Sequence, residues 1–109
     1  MSKEPIEYLK HIRDECSFIL SVIPEDFSKN EFLSDETLKR AIVRSLEIIG
    51  EATKRINKDF RNKYPRIPWQ DMAGMRDILI HDYLNLDIGI IWNTIKEGIP
   101  NLKIPLNGI

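Results

Sequence analysis

Leu38, Ala41, Ile42, Ser45, Ile49, Ala52, Ile56 and Phe60 recur at intervals of three and four residues, the spacing of one face of an α-helix. A stripe of that length has to be covered by other helices, because most helical stability comes from packing an apolar face. Ser34 or Asp35 can cap its start, with Glu36 in the first turn, and the pattern predicts a helix reaching about Asn62. Its neighbour in sequence is a second amphipathic segment from Ile6 to Ile23, with Leu9, Ile12, Cys16, Ile19, Leu20 and Ile23 on one face, Pro5 in the first turn and Pro24 as the stop. Glu25 to Asn30 reads as a polar connection between the two. Lys63-Tyr64-Pro65-Arg66-Ile67-Pro68-Trp69 reads as a rigid connector, since two prolines fix the backbone.

A third helix is expected from about Trp69 to Asp71 onward, with Met72, Met75, Leu79 and Tyr83 on one side. Gly74 inside it suggests a crowded contact, because a helical glycine costs about 1 kcal/mol unless another backbone packs there. Asp87 can cap a fourth helix from Ile88 to about Lys96, ended by Gly98 and Pro100. Asn101 to Ile109, with Pro105 and Gly108, reads as a short, loosely held C-terminal tail. No segment alternates with period two for long enough to read as a strand. The expected fold is therefore all-α, an up-and-down bundle of four main helices in a single domain spanning residues 1–109.

Composition narrows the function classes. A chain of 109 residues, 42% hydrophobic and 30% charged, suits one domain with a modest core. A single cysteine, Cys16, excludes an internal disulfide, and there is no four-ligand Cys/His set for structural zinc. His11 and Glu15 lie one turn apart, which reads more simply as a solvated side-chain contact than as a metal pair. No apolar run approaches the roughly 18 residues of a membrane span, and no signal-peptide core follows Met1, so the expected compartment is the cytoplasm.

The formal net charge of −1 conceals a segregated field. Residues 1–38 carry four basic and nine acidic groups, residues 39–66 nine and three, and residues 67–109 three and five. The middle segment is a basic band that can draw a polyanion to one side of a near-neutral molecule. On a regular helix Lys54, Lys58 and Arg61 share the face opposite Ile49, Ala52 and Ile56. They are either the wet side of that helix or an approach surface for RNA phosphates.

The chemistry-bearing stretch is Met75-Arg76-Asp77-Ile78-Leu79-Ile80-His81-Asp82-Tyr83, an Arg-x4-His-x-Tyr array. Metal-free RNA cleavage needs one group to take the 2′-hydroxyl proton, one to protonate the leaving 5′-oxygen and a cation for the charge building on phosphorus. Histidine fits either proton role and arginine the third. On a regular helix, however, His81 is rotated by ~140° from Arg76. Either the helix loosens near His81, or a two-fold dimer brings two copies of Arg76 and His81 together. Asp77, only ~40° from His81 around the wheel and one turn earlier, can hydrogen-bond the imidazole and fix its tautomer. On chemistry alone, an arginine and a histidine at a helix end are more simply surface groups than a site.

The array resembles the signature of HEPN-domain proteins, specifically HepT-like toxins paired with small nucleotidyltransferase antitoxins. Arg44-Ser45-Leu46-Glu47-Ile48-Ile49-Gly50-Glu51-Ala52, then Ile67-Pro68-Trp69, then Ala73-Gly74-Met75-Arg76 through Ile80-His81-Asp82-Tyr83 follow the family in order and spacing, from about Leu38 to Trp92. The resemblance implies a HEPN-type bundle and the toxin of a type VII toxin–antitoxin system: a homodimeric, metal-independent, cofactor-free endoribonuclease of single-stranded RNA. Arg76 and His81 would be catalytic in a cleft between subunits, with Asp77 the supporting residue that the helix geometry suggests. It also implies that the antitoxin AMPylates Tyr83 and so silences the site. Asp77 departs from the amide or other polar residue common after the arginine. The alternative is a non-catalytic helical module that binds a nucleotidyltransferase or nucleic acid. The first helix and the tail carry no motif of the family.

Overall fold

The computed structural model describes residues 4–81 and 88–108, with the side chains of Ile78, Ile80, His81 and Ile88 also left aside. All regular structure in these residues is helical: α1 (Pro5–Val22), α2 (Lys29–Ser34), α3 (Glu36–Lys54), α4 (Lys58–Lys63), α5 (Trp69–His81), α6 (Ile88–Asn93), a π-helical turn (Thr94–Gly98) and α7 (Ile99–Leu106). Because α6, the π-turn and α7 follow one another without a break, the main helices are four: α1, α3, α5 and the run from Ile88 to Leu106. α3 packs on both α1 and α5, and α1 also packs on α7. The core is the set of stripes meeting there, Leu9, Ile12, Cys16 and Ile19 from α1, Ile42, Leu46 and Ile49 from α3, Met72 and Leu79 from α5, and Ile91, Ile95, Ile99, Leu102 and Leu106 from the last run.

Three boundaries differ from the expected ones. The helix predicted to reach Asn62 stops at Lys54. Arg55 N–H turns back to the carbonyls of Ala52 and Thr53, and Asn57 caps a separate α4 by accepting from Phe60 N–H at 2.8 Å. The apolar spacing runs through this break because the turn still delivers Ile56 to the core, so periodicity alone did not reveal it. The connection before α3 is not merely polar. Ser28 and Glu31 form a capping box for α2, which buries Phe32 against the ring of Trp92 with centroids 5.5 Å apart.

The tail is the third correction. Gly98 and Pro100 do not end the fourth helix, and residues from Asn101 are not loose: Ile99, Leu102 and Leu106 are buried. Each buried aliphatic side chain contributes roughly 1.5–3 kcal/mol, enough to hold a helix containing Pro105. The π-turn explains how Pro100 is accommodated. Ile99 N–H reaches back to Thr94 O, a wider turn than α, just where a proline ring would otherwise press on the preceding turn.

The connector from Lys63 to Trp69 is fixed as expected of it. The Trp69 indole N–H is shared between the carbonyls of Arg61 and Tyr64, at 3.1 and 3.0 Å, and Ile67 is buried. It sets where α5 begins, and so where Arg76 stands.

Candidate nucleic-acid site on the α3–α5 contact

Two residues one turn apart on α3, Gly50 and Lys54, face two consecutive residues of α5, Arg76 and Asp77. Gly50 is buried, and a Cβ built on it would lie 2.5 Å from Arg76 Cβ, 3.0 Å from Arg76 N and 3.0 Å from Met72 O. The helices thus meet backbone to backbone at the arginine. The crowding expected at Gly74 is absent, since a Cβ there would meet nothing within 4 Å. The crowded glycine is on the other helix, and only a tertiary contact distinguishes the two.

One turn further along, Lys54 Nζ donates to Asp77 Oδ1 at 2.6 Å, and Arg76 Nη1 stands 3.6 Å from the same oxygen. Arg76 keeps about a third of its side chain exposed (34%), Lys54 38% and Asp77 48%. The result is a half-open cluster of two cations and one carboxylate from two helices. Asp77, expected to orient His81, is engaged with Lys54 and Arg76. Its relation to the imidazole lies outside the described residues, as do His81's side chain, Asp82, Tyr83 and the expected cap Asp87. The backbone stays helical through His81, so up to that residue the helix does not loosen. Arg76 and His81 are therefore ~140° apart around α5 and ~7.5 Å apart along it.

The three basic residues proposed for RNA do not share one helix face, because the break at Lys54 separates them. Lys54 joins Arg76, and Lys58 is exposed in the first turn of α4. Arg61 is half-buried and turned inward, donating through Nη2 to Thr53 O at 2.6 Å and through Nε to Ile56 O at 3.0 Å. It adds a charged donor to the carbonyls of Thr53 and Ile56 where the chain turns out of α3. An arginine eight residues after the carbonyl it binds has no signature in helical periodicity.

Cys16, the lone cysteine, is fully buried in α1, and burial pushes its thiol up to about 12, so it takes no part in chemistry near neutral pH. Among the described residues no group of three or more His, Cys, Asp or Glu side chains could hold a metal ion, and no helix is long and apolar enough to cross a membrane.

Comparison with known proteins places the chain in a family. The family model described as "Ribonuclease HepT-like" matches residues 6–109. The chain belongs to the HepT-like ribonuclease family. The match takes in α1 and α7, which carried no recognisable motif. Among similar proteins, one from Caldanaerobacter subterraneus subsp. tengcongensis, named "Putative RNase", is 48% identical over 93% of this chain and 89% of its own length. A "Probable ribonuclease HepT" of Thermococcus cleftensis is 42% identical over 94% and 93%. A "Putative RNase" of Methanocaldococcus jannaschii is 39% identical over 94% of both chains. No solved structure matches. The HepT-like membership and the four-helix architecture agree: this is a HEPN-type helical bundle.

Proposed function

We propose that this HepT-like protein is a metal-independent endoribonuclease that cuts single-stranded RNA, and that it is the toxin of a type VII toxin–antitoxin pair. The observation that carries the reading is the family match over residues 6–109, with the arginine of its motif seated half-exposed on the α3–α5 contact. Arg76 clamps the scissile phosphate and offsets the charge that builds on its oxygens. One His81 takes the 2′-hydroxyl proton as that oxygen attacks phosphorus, and the other gives a proton to the departing 5′-oxygen, leaving a 2′,3′-cyclic phosphate. The helical backbone from Arg76 to His81 supports a site shared by two subunits, because one α5 spreads the two groups around its circumference. Lys54 and Lys58 supply further cations for the strand.

In this reading the partner is a small nucleotidyltransferase antitoxin. It transfers AMP from ATP to the Tyr83 hydroxyl with loss of pyrophosphate, and the anionic adduct near Arg76 opposes RNA. The compartment is the cytoplasm, and the whole chain acts as one domain.

The test is cleavage of single-stranded RNA by the purified protein with a chelator present. Arg76→Ala and His81→Ala should each abolish cutting while the dimer stays folded. Retained cleavage in either variant sinks the assignment, and RNA binding without cleavage by the wild type leaves a non-catalytic binding module. Incubation with the antitoxin and ATP should add AMP mass that disappears in Tyr83→Phe.

A further inference from the structure

One oxygen of Asp77 stands 2.6 Å from Lys54 Nζ and 3.6 Å from Arg76 Nη1. Two cations from different helices converging on a single anionic oxygen is the arrangement a phosphodiester oxygen would adopt between them. Asp77 carries the same charge as one backbone phosphate. The cluster is half-open, with Lys54 38% and Asp77 48% exposed, and exposed ion pairs of this kind are weakly held. These two contacts of the carboxylate can therefore give way to another anion.

From this geometry we infer that Lys54 is a second phosphate-binding side chain of the site beside Arg76, and that Asp77 is an exchangeable internal anion which RNA must displace to reach them. The inference rests on the reading of this site as an RNA site. Asp77 would hold the two cations near one point in the free protein and compete for them with substrate. RNA binding at this point is then an exchange of one anion for another. The Asp77 carboxylate freed by this exchange takes up a cation of its own, which offsets the cation that the RNA phosphate gives up at Lys54, so that contact adds little to the salt dependence of binding.

The experiment measures binding of a single-stranded 2′-O-methyl RNA, which lacks the attacking hydroxyl, to the full chain by fluorescence anisotropy across a salt series. Asp77→Asn and Asp77→Ser should both bind about three- to tenfold more tightly at low salt, with a log–log salt slope steeper by up to ~0.7, the increment for one contact on a single strand. Lys54→Gln should weaken binding, and in the Lys54→Gln background the Asp77→Asn gain should shrink to the share owed to Arg76. Melting curves on each variant separate these effects from loss of fold. Unchanged or weaker binding in both Asp77 variants, or an undiminished Asp77→Asn gain without Lys54, overturns the inference. Cleavage of unmodified RNA is read separately. A wild type that binds the analogue but never cuts removes the nuclease reading, while the binding cycle still decides the roles of Lys54 and Asp77.

Discussion

Gly50→Ala is the sharpest probe of how this fold places its arginine. The added methyl would lie 2.5 Å from Arg76 Cβ, where ordinary contact is 3.4–4 Å, so the two must separate by about 1 Å. Neither party can rotate away, because the other near atoms are Arg76 N and Met72 O, both backbone, at 3.0 Å. α5 has to move as a body. Overpacking of this kind costs about 1–3 kcal/mol. Replacing an interior helical glycine by alanine returns about 1 kcal/mol, so the net loss should be only about 0–2 kcal/mol. The effect on catalysis is not offset. A displacement of about 1 Å in a group that must meet a scissile phosphate can cost on the order of 100-fold in rate.

The expected signature is therefore an enzyme nearly as stable as the wild type but slower by about two orders of magnitude, read by urea denaturation alongside RNA cleavage in chelator. Gly74→Ala is the control two residues from the arginine. With nothing within 4 Å of its Cβ, it should gain up to about 1 kcal/mol and cut at the wild-type rate. Wild-type cleavage by Gly50→Ala would refute the claim that the α3–α5 approach sets Arg76. A loss of stability well beyond 3 kcal/mol would refute the assignment of the effect to a sliding helix.

Arg61→Ala should cost about 1–2 kcal/mol in urea denaturation, because two backbone carbonyls lose a charged donor, while the salt slope of RNA binding stays that of the wild type. Leu102→Ala should cost about 2–5 kcal/mol, which a loose tail could not lose. Cys16 gives a pH test. Its folded thiol, pushed up to about 12 from 9.0, contributes stability that is complete below pH 9 and fades as pH rises toward 12, since the unfolded chain ionises first. Cys16→Ala should therefore flatten the fall in stability above pH 9, as followed by denaturant midpoints.

What the sequence showed and what it hid divide along a physical line. Features set by neighbours in the chain were legible: the stripes of α1 and α3, the cap of α3 to within Ser34 or Asp35, and the motif arginine on the third long helix. Features set by contacts across the fold were not. Glycines 50 and 74 look alike in sequence, each inside an apolar pattern, and only the approach of another helix distinguishes them. Pro100 and Pro105 read as breakers because propensity speaks for an isolated helix. The burial of Leu102 and Leu106 against α1 overrides it. Asn57 and the Ser28–Glu31 box were readable caps, but each sat beside a stronger signal, one inside a continuing stripe and one inside a polar run.

The break in α3 also separates Lys54 from Lys58 and Arg61. Had the helix run on to Asn62, Lys54 would be a mid-helix lysine in a row with Lys58 and Arg61. Its closure at Lys54 instead turns α4 away and directs Arg61 to the carbonyls of Thr53 and Ile56, leaving Lys54 as the last side chain on the face that carries Gly50. Gly50 and Lys54 then act on consecutive residues of α5, the first by admitting the Arg76 backbone and the second by engaging Asp77. A stripe that dictates a bundle thus carries, on its flank, the two positions that decide where the arginine sits and which anion it meets first. Moving either position by one residue would rotate it ~100° away from α5, so an insertion in α3 before Gly50 should abolish RNA binding and cleavage together.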